Sequence, residues 1–231
     1  MRWTLGTAWR RLLTFCPASG SLAADSSVYH DAETGFTFSQ FAAAYVLTST
    51  VTFRLALPSP APTNASYDAV LQVVAPISLT GWVGLAWGGT MLNNPLTVFW
   101  ENNNTPVIST RFATTRSLPP VYSGATLQVF KTGTHVNSTH WQFTAKCTGC
   151  TAFTSSSGSK TVLNPTGVNR LAFAYGSAKP STPSSSSSSF GVHDVYAYWN
   201  HDFSAAGNTA FSSLVAKNLG TAVLSGPKYS H

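Results

Sequence analysis

From Ser27 onward, apolar and polar positions alternate in short runs that Gly, Pro and Asn interrupt. Alternation with a period of two marks strands that bury one face. It predicts strands over 51–57, 69–74, 81–87, 96–100, 107–112, 126–131, 140–146, 170–175 and 191–199. No helical pattern separates them, and short strands in succession argue for a β-sandwich. One helix is predicted over 209–217, where Phe211, Leu214 and Val215 share a face and Gly220 is placed to stop it. The run Ser181-Thr182-Pro183-Ser184 through Ser189 has the composition of a linker. Only 42 residues follow it, beginning with a strand that needs a sheet to join, so it reads as a loop inside one domain.

Composition changes the picture in two ways. Hydrophobic residues make up 43% of the 231 and charged residues only 9%, which excludes a disordered chain. Polarity comes instead from Ser, Thr, Asn and Gly, as in β-rich extracellular proteins. The net charge of +6 does not make a nucleic-acid surface, because the cations are scattered and only Arg10-Arg11 are adjacent. No apolar run reaches the length of a membrane-spanning helix.

Residues 1–24 resemble a secretion leader, with Arg2 at the start and Ser21-Leu22-Ala23 as a small-residue cleavage site. Arg10-Arg11 and Pro17 interrupt its apolar stretch. Three of the 13 cations and none of the seven acids lie there, so its removal would leave +3. The organisation expected is a leader at 1–24, a sandwich domain at 25–217 and a tail at 218–231. Asn64 and Asn137 begin glycosylation triplets, and a third at Asn103 is weakened by Pro106.

Candidate chemistry is sparse. Dinucleotide, P-loop and nucleophile-elbow motifs are missing, and the acids form no evident glycosidase pair. Cys147 and Cys150 are half of a four-cysteine zinc site without a second pair, and Thr151 stands where covalent haem attachment needs His. Their plainest reading is a small disulfide closing a turn. Met91 is the one methionine after Met1, in Trp87-Gly88-Gly89-Thr90-Met91-Leu92-Asn93-Asn94-Pro95. It reads either as core filler or as a ligand, since two glycines before it would let the backbone approach a large planar group. His193 falls on one face with Val195, Ala197 and Trp199 of the last predicted strand, as a core histidine or a ligand.

Taken together, these stretches resemble the secreted haem-b cytochrome domain of fungal cellobiose dehydrogenase. The matching stretches are Val73–Ile77 leading to Gly81–Met91, Ser109–Thr114, Asn137–Trp141 with Cys147–Cys150, and Phe190–His193 with Asp202. They keep the same order over about 28–216. The resemblance implies an antiparallel sandwich shaped like an immunoglobulin variable domain, with haem b held between Met91 and His193. It implies a Cys147–Cys150 disulfide and places Trp100 at the haem edge. Where the family often has a Tyr near the propionates this chain has Arg116, whose guanidinium is suited to carboxylates. With both axial positions filled, the chemistry implied is electron transfer, without a catalytic site of the domain's own. The implied partners are a flavin dehydrogenase as donor and a copper-dependent lytic polysaccharide monooxygenase as acceptor. A stand-alone cytochrome and the front piece of a longer flavocytochrome both fit. A carbohydrate-binding module and a ligand-sensing haem protein are the competing readings.

Overall fold

The computed structural model describes residues 25–46, 49–78 and 80–220. The expected leader, Cys16 and most of the expected tail lie outside them. In chain order the strands are β1 (Ser27–His30), β2 (Thr37–Val46), β3 (Ser49–Pro58), β4 (Ala69–Pro76), β5 (Trp82–Ala86), β6 (Pro95–Asn102), β7 (Thr105–Phe112) and β8 (Thr126–Val129). There follow β9 (His135–Val136), β10 (His140–Thr148), β11 (Ala152–Thr154), β12 (Lys160–Val162), β13 (Val168–Gly176), β14 (Val195–Asp202) and β15 (Gly207–Asn208). A 3-10 turn spans Phe203–Ala206, and helix α1 spans Phe211–Leu219.

Two mainly antiparallel sheets form the sandwich. The first runs β1-β2-β3-β4-β10-β8, with β9 pairing β10 and β15 pairing β3. The second runs β14-β13-β5-β6-β7. Alternation decides which residues face inward: Val51, Phe53, Leu55 and Leu57 of β3 are buried while Thr52 and Arg54 are not. They meet Val83, Leu85, Phe99, Leu171, Phe173 and Trp199 from the other sheet. Phe53 lies 5.9 Å from Phe173 and 5.5 Å from Trp199, and Phe41 stacks on Trp199 at 4.4 Å. Contacts of this kind add to the hydrophobic burial that holds the sheets together.

The two outer faces are treated differently. Helix α1 covers that of the first sheet, placing Phe211 on Phe36, Phe38, Ala56, Val70 and Phe130. The helix stops where Gly220 turns left-handed (φ 72°) and returns its N–H to the carbonyls of Ala216 and Lys217. No helix of the described residues packs on the outer face of the second sheet; loops border it.

The structure corrects several expected boundaries. The predicted strand at 191–199 begins at Val195 and ends at Asp202. Its partner β13 ends at Gly176, opposite Asp194, so residues 191–193 have no neighbouring strand, and His193 sits in a loop rather than on the strand face. The helix starts two residues later than predicted because Asn208 is held in β15, where its amide donates to the Thr37 carbonyl and accepts from the Thr37 N–H. Strands β1 and β2 were not among the predicted runs. Chain on both sides of the serine-rich run belongs to one sheet, as β13 and β14 pair directly.

Candidate functional site

The outer face of the second sheet has an unusual floor. Across the strands, Tyr198 pairs with Ala172, Ala172 with Ala86, and Ala86 with Leu96. The adjacent row runs Tyr196, Ala174, Gly84 and Val98. Small residues therefore occupy the middle strands, between larger side chains on β6 and β14. Gly84 is the middle residue of β5, itself the central strand. A glycine there weakens a strand unless something must approach closely. No turn requires it, and a Cβ would meet only the edge of Trp82 at 3.4 Å and the Ala174 carbonyl at 3.9 Å. At Gly176, by contrast, the Trp82 indole already lies where a side chain would go, 2.3 Å from the Cβ position.

Met91 and His193 flank this floor from opposite ends. Met91 follows β5 and packs with Ala86, Leu96, Ala113 and Ala172. His193 precedes β14, at the end of the sheet where β5 starts and across β13 from it, with its ring 4.8 Å from that of Tyr196. Each sits in a tied loop. Around Met91, Asn94 accepts from the Gly88 N–H and donates to the carbonyls of Thr90 and Leu92. The loop bearing His193 is closed at its base: Asp194 donates its N–H to the Tyr175 carbonyl, and its carboxylate accepts from the Ser177 N–H at 2.6 Å. The Ser177 hydroxyl and N–H, with His193 nearby, hold the Asp194 carboxyl below its ordinary pKa.

Arg111 straps the same loop to β7. It is only 2% exposed. Its guanidinium donates to the Ser109 hydroxyl and to the carbonyls of Pro119, Ser186 and Ser188, and lies 5.3 Å from the Phe190 ring. All four partners are neutral, and burial lowers the guanidinium pKa. The serine-rich run is thus a compact loop over the Trp100 side of the face, where the indole N–H of Trp100 donates to the Pro183 carbonyl at 2.6 Å.

Trp82 adds a polar feature. It is 4% exposed, packs with Trp100, Val98 and Phe190, and its indole N–H has no hydrogen-bond partner among the described residues. A buried donor without a partner is costly unless something accepts from it. A broad small-residue floor, an unpaired donor, a thioether and an imidazole make a set that fits a haem, whose iron takes soft and neutral axial ligands and whose carboxylates accept hydrogen bonds.

Comparison with known proteins decides the family. Residues 29–213 match the model of the cytochrome domain of cellobiose dehydrogenase. The chain belongs to this family. The pyrroloquinoline quinone-dependent pyranose dehydrogenase of Coprinopsis cinerea is 31% identical over 228 residues, 98% of this chain. The chain spans only 29% of the length of that relative. The crystal structure of the cytochrome b domain of the Coprinopsis cinerea pyranose dehydrogenase superposes with a TM-score of 0.73 at 31% identity, covering 87% of this chain and all of that one. The cytochrome domain of Myriococcum thermophilum cellobiose dehydrogenase gives 0.75 at 25% identity, covering 85% of this chain and 97% of that one. Membership in a family of cytochrome domains implies a haem cofactor and electron transfer, favouring that reading over a haem-free carbohydrate module.

Of the residues expected at the cytochrome site, Met91 packs on Ala86 and Ala172 of this face, His193 has its ring against Tyr196 of the same face, and Trp100 is fully buried among Trp82 and Val98. Arg116 lies on the exposed loop after β7, with no hydrogen bond or ion pair among the described residues. Cys147 and Cys150 are bonded, with Cα atoms 5.9 Å apart. Their bridge backs the Met91 loop: Cys150 Sγ lies 4.0 Å from the Thr97 hydroxyl, which accepts from the Trp87 indole.

The glycines before Met91 have a different reason from the one expected. A Cβ on Gly88 would collide with the Asn94 side chain at 2.8 Å, and Gly89 adopts φ 73° against Arg170. Both serve the turn's own packing, and the glycine that opens the face is Gly84. Sequence reasoning missed Gly84, Asn94, Trp82 and Arg111. The available signal was a glycine inside an otherwise apolar predicted strand and an arginine at a strand position of alternating burial.

Proposed function

We propose that this domain is a secreted haem-b electron carrier that takes electrons from a sugar-oxidising dehydrogenase and delivers them to a copper-dependent lytic polysaccharide monooxygenase. Gly84 carries the reading: the central strand gives up a side chain in the row between Tyr196, which meets His193, and Val98, next to the row whose Ala86 and Ala172 meet Met91. Met91 and His193 would supply the thioether and the imidazole that hold the iron. When bound, haem supplies one-electron exchange between Fe(III) and Fe(II). Arg111 and Asp194 hold the loop of His193, and the buried Trp82 indole N–H would be the donor available to an anionic group of the cofactor. Trp100 would lie at the haem edge, beneath the serine loop whose Pro183 carbonyl accepts from its indole. Arg116, on its exposed loop, serves a propionate. With a thioether and an imidazole both supplied by the protein, the iron would relay electrons.

The resemblance names a flavin dehydrogenase as donor. The 31% identity to the pyrroloquinoline quinone-dependent relative supports a second reading, in which the donor is quinone-dependent. Secretion is supported by the leader-like composition of 1–24 and by the disulfide, a bond of oxidising compartments. Asn64 and Asn137 are exposed and serve as glycan acceptors.

Haem titration followed by electron transfer tests this function. The protein should bind one haem, accept electrons from a flavin or quinone sugar dehydrogenase with its substrate, and reduce a copper monooxygenase. Failure to take up haem sinks the reading; uptake without transfer to the monooxygenase removes the named acceptor.

A further inference from the structure

We propose that Asn94 is the positioning residue for Met91, holding its backbone so that the thioether has a restricted reach toward the metal. The inference rests on the reading of Met91 as an axial ligand. Asn94 is 2% exposed and its amide is fully engaged. Its oxygen accepts from the Gly88 N–H at 2.9 Å. Its nitrogen donates to the Thr90 carbonyl at 2.8 Å and the Leu92 carbonyl at 2.9 Å, the residues directly before and after Met91. One amide therefore brackets the ligand on both sides and closes the segment onto its start.

The surroundings reinforce this geometry. Gly88 carries no side chain where the Asn94 Cβ and Cγ would stand 2.8 and 2.9 Å from its Cβ, so the two residues require each other. Asn93 is left-handed (φ 62°) and donates its N–H to the Ala113 carbonyl at 2.8 Å, tying the segment to the end of β7. Methionine has three rotatable side-chain bonds, so little in the side chain itself fixes the sulfur. A fixed backbone removes much of that freedom before the metal is met, as residues behind a ligand commonly do.

Asn94→Asp is the informative change. It keeps the size and the acceptor for the Gly88 N–H, but turns an oxygen toward two carbonyls that need a donor. In the haem-loaded protein, carbon monoxide should bind the reduced Asn94→Asp variant about 10-fold faster than wild type or more, the scale typical of losing a residue that orients a metal ligand. The reduction potential should move toward that of Met91→Ala. Burial between two carbonyls raises the introduced carboxyl above its ordinary range; raising the pH ionises it and speeds carbon monoxide binding, and lowering the pH protonates it, restores one donor and slows binding again, a reversal that general destabilisation does not produce. In the haem-free protein, amide hydrogen exchange over 88–93 should accelerate while the β3 and β4 amides stay protected.

Met91→Ala separates the possible failures. If Met91→Ala admits carbon monoxide and Asn94→Asp behaves as wild type, the role of Asn94 is overturned. If Met91→Ala itself matches wild type, the ligand reading falls and this inference with it. Should Asn94→Asp fold poorly, Asn94→Ala removes the same two donors without adding charge and is read by the same assays. Unchanged exchange over 88–93 in that variant also overturns the proposal.

Discussion

Gly84→Ala should stabilise the haem-free protein and weaken haem binding, two effects of opposite sign from one methyl group. Alanine in a strand interior avoids the backbone entropy cost of glycine, about 0.5–1 kcal/mol. The added Cβ meets no atom closer than 3.4 Å, so the fold accommodates it at ordinary contact distance. The methyl projects from the centre of the floor on which the cofactor is proposed to lie. Forcing an extra carbon into a close-packed contact costs about 1–3 kcal/mol, which corresponds to a roughly 5- to 150-fold loss of haem affinity. Urea unfolding of the haem-free protein measures the first effect, and haem titration followed at the Soret band measures the second. Haem affinity equal to wild type in a correctly folded Gly84→Ala protein would refute the placement of the cofactor on this face.

Other expectations follow from separate parts of the molecule. Burial between Trp199 and Phe203 pushes the fully buried His201 down to about 4 from 6.5, so the unfolded chain takes a proton that the folded chain resists. Its contribution is complete above the unfolded value and is lost as pH falls from 6.5 toward 4. Wild type should lose roughly 2–3 kcal/mol more than His201→Phe between about pH 7.5 and about pH 4.5 in urea unfolding, and equal losses would contradict this. Arg111→Met leaves the Pro119, Ser186 and Ser188 carbonyls without their donor, partly offset by relief of a buried charge. A net loss of about 2–4 kcal/mol is expected, with new proteolytic cleavage inside 181–189; an unchanged digestion pattern would speak against the strap. Replacing both Cys147 and Cys150 by Ala should cost only about 2 kcal/mol in thermal or urea unfolding, because a bridge of sequence separation 3 closes a very short loop, and a loss above twice that would show a larger role.

Alternation made the sandwich legible, because along β3, β10 and β13 most inward side chains are followed by a less buried one that need not be apolar. The stop at Gly220 was legible for a similarly local reason, the left-handed cap. The start of β14 was not: Gly191–Asp194 continues an apparent strand pattern, but β13 has already ended and Asp194 is committed to Ser177. Strands β1 and β2 fell outside the predicted runs although Phe36-Thr37-Phe38-Ser39 alternates, because β1 is only four residues long and the alternation of β2 gives way to Ala42-Ala43-Ala44. At the site, Met91 and His193 stood out through the resemblance, while the reasons for their settings lie in contacts distant in sequence. The Arg111 strap reaches 75 and 77 residues along the chain, and no local pattern announces it. Gly88 and Gly89 looked like an approach path for a ligand, yet their neighbours are Asn94 and Arg170.

The central claim is that Met91 and His193 together hold the haem iron. The most direct measurement is the reduced-minus-oxidised visible spectrum of the haem-loaded wild type beside Met91→Ala. Wild type should be low-spin, with a Soret band that sharpens and distinct alpha and beta bands on reduction. Met91→Ala should lose the low-spin signature, bind carbon monoxide readily and fall in reduction potential. A Met91→Ala protein with the spectrum and potential of wild type would contradict the account.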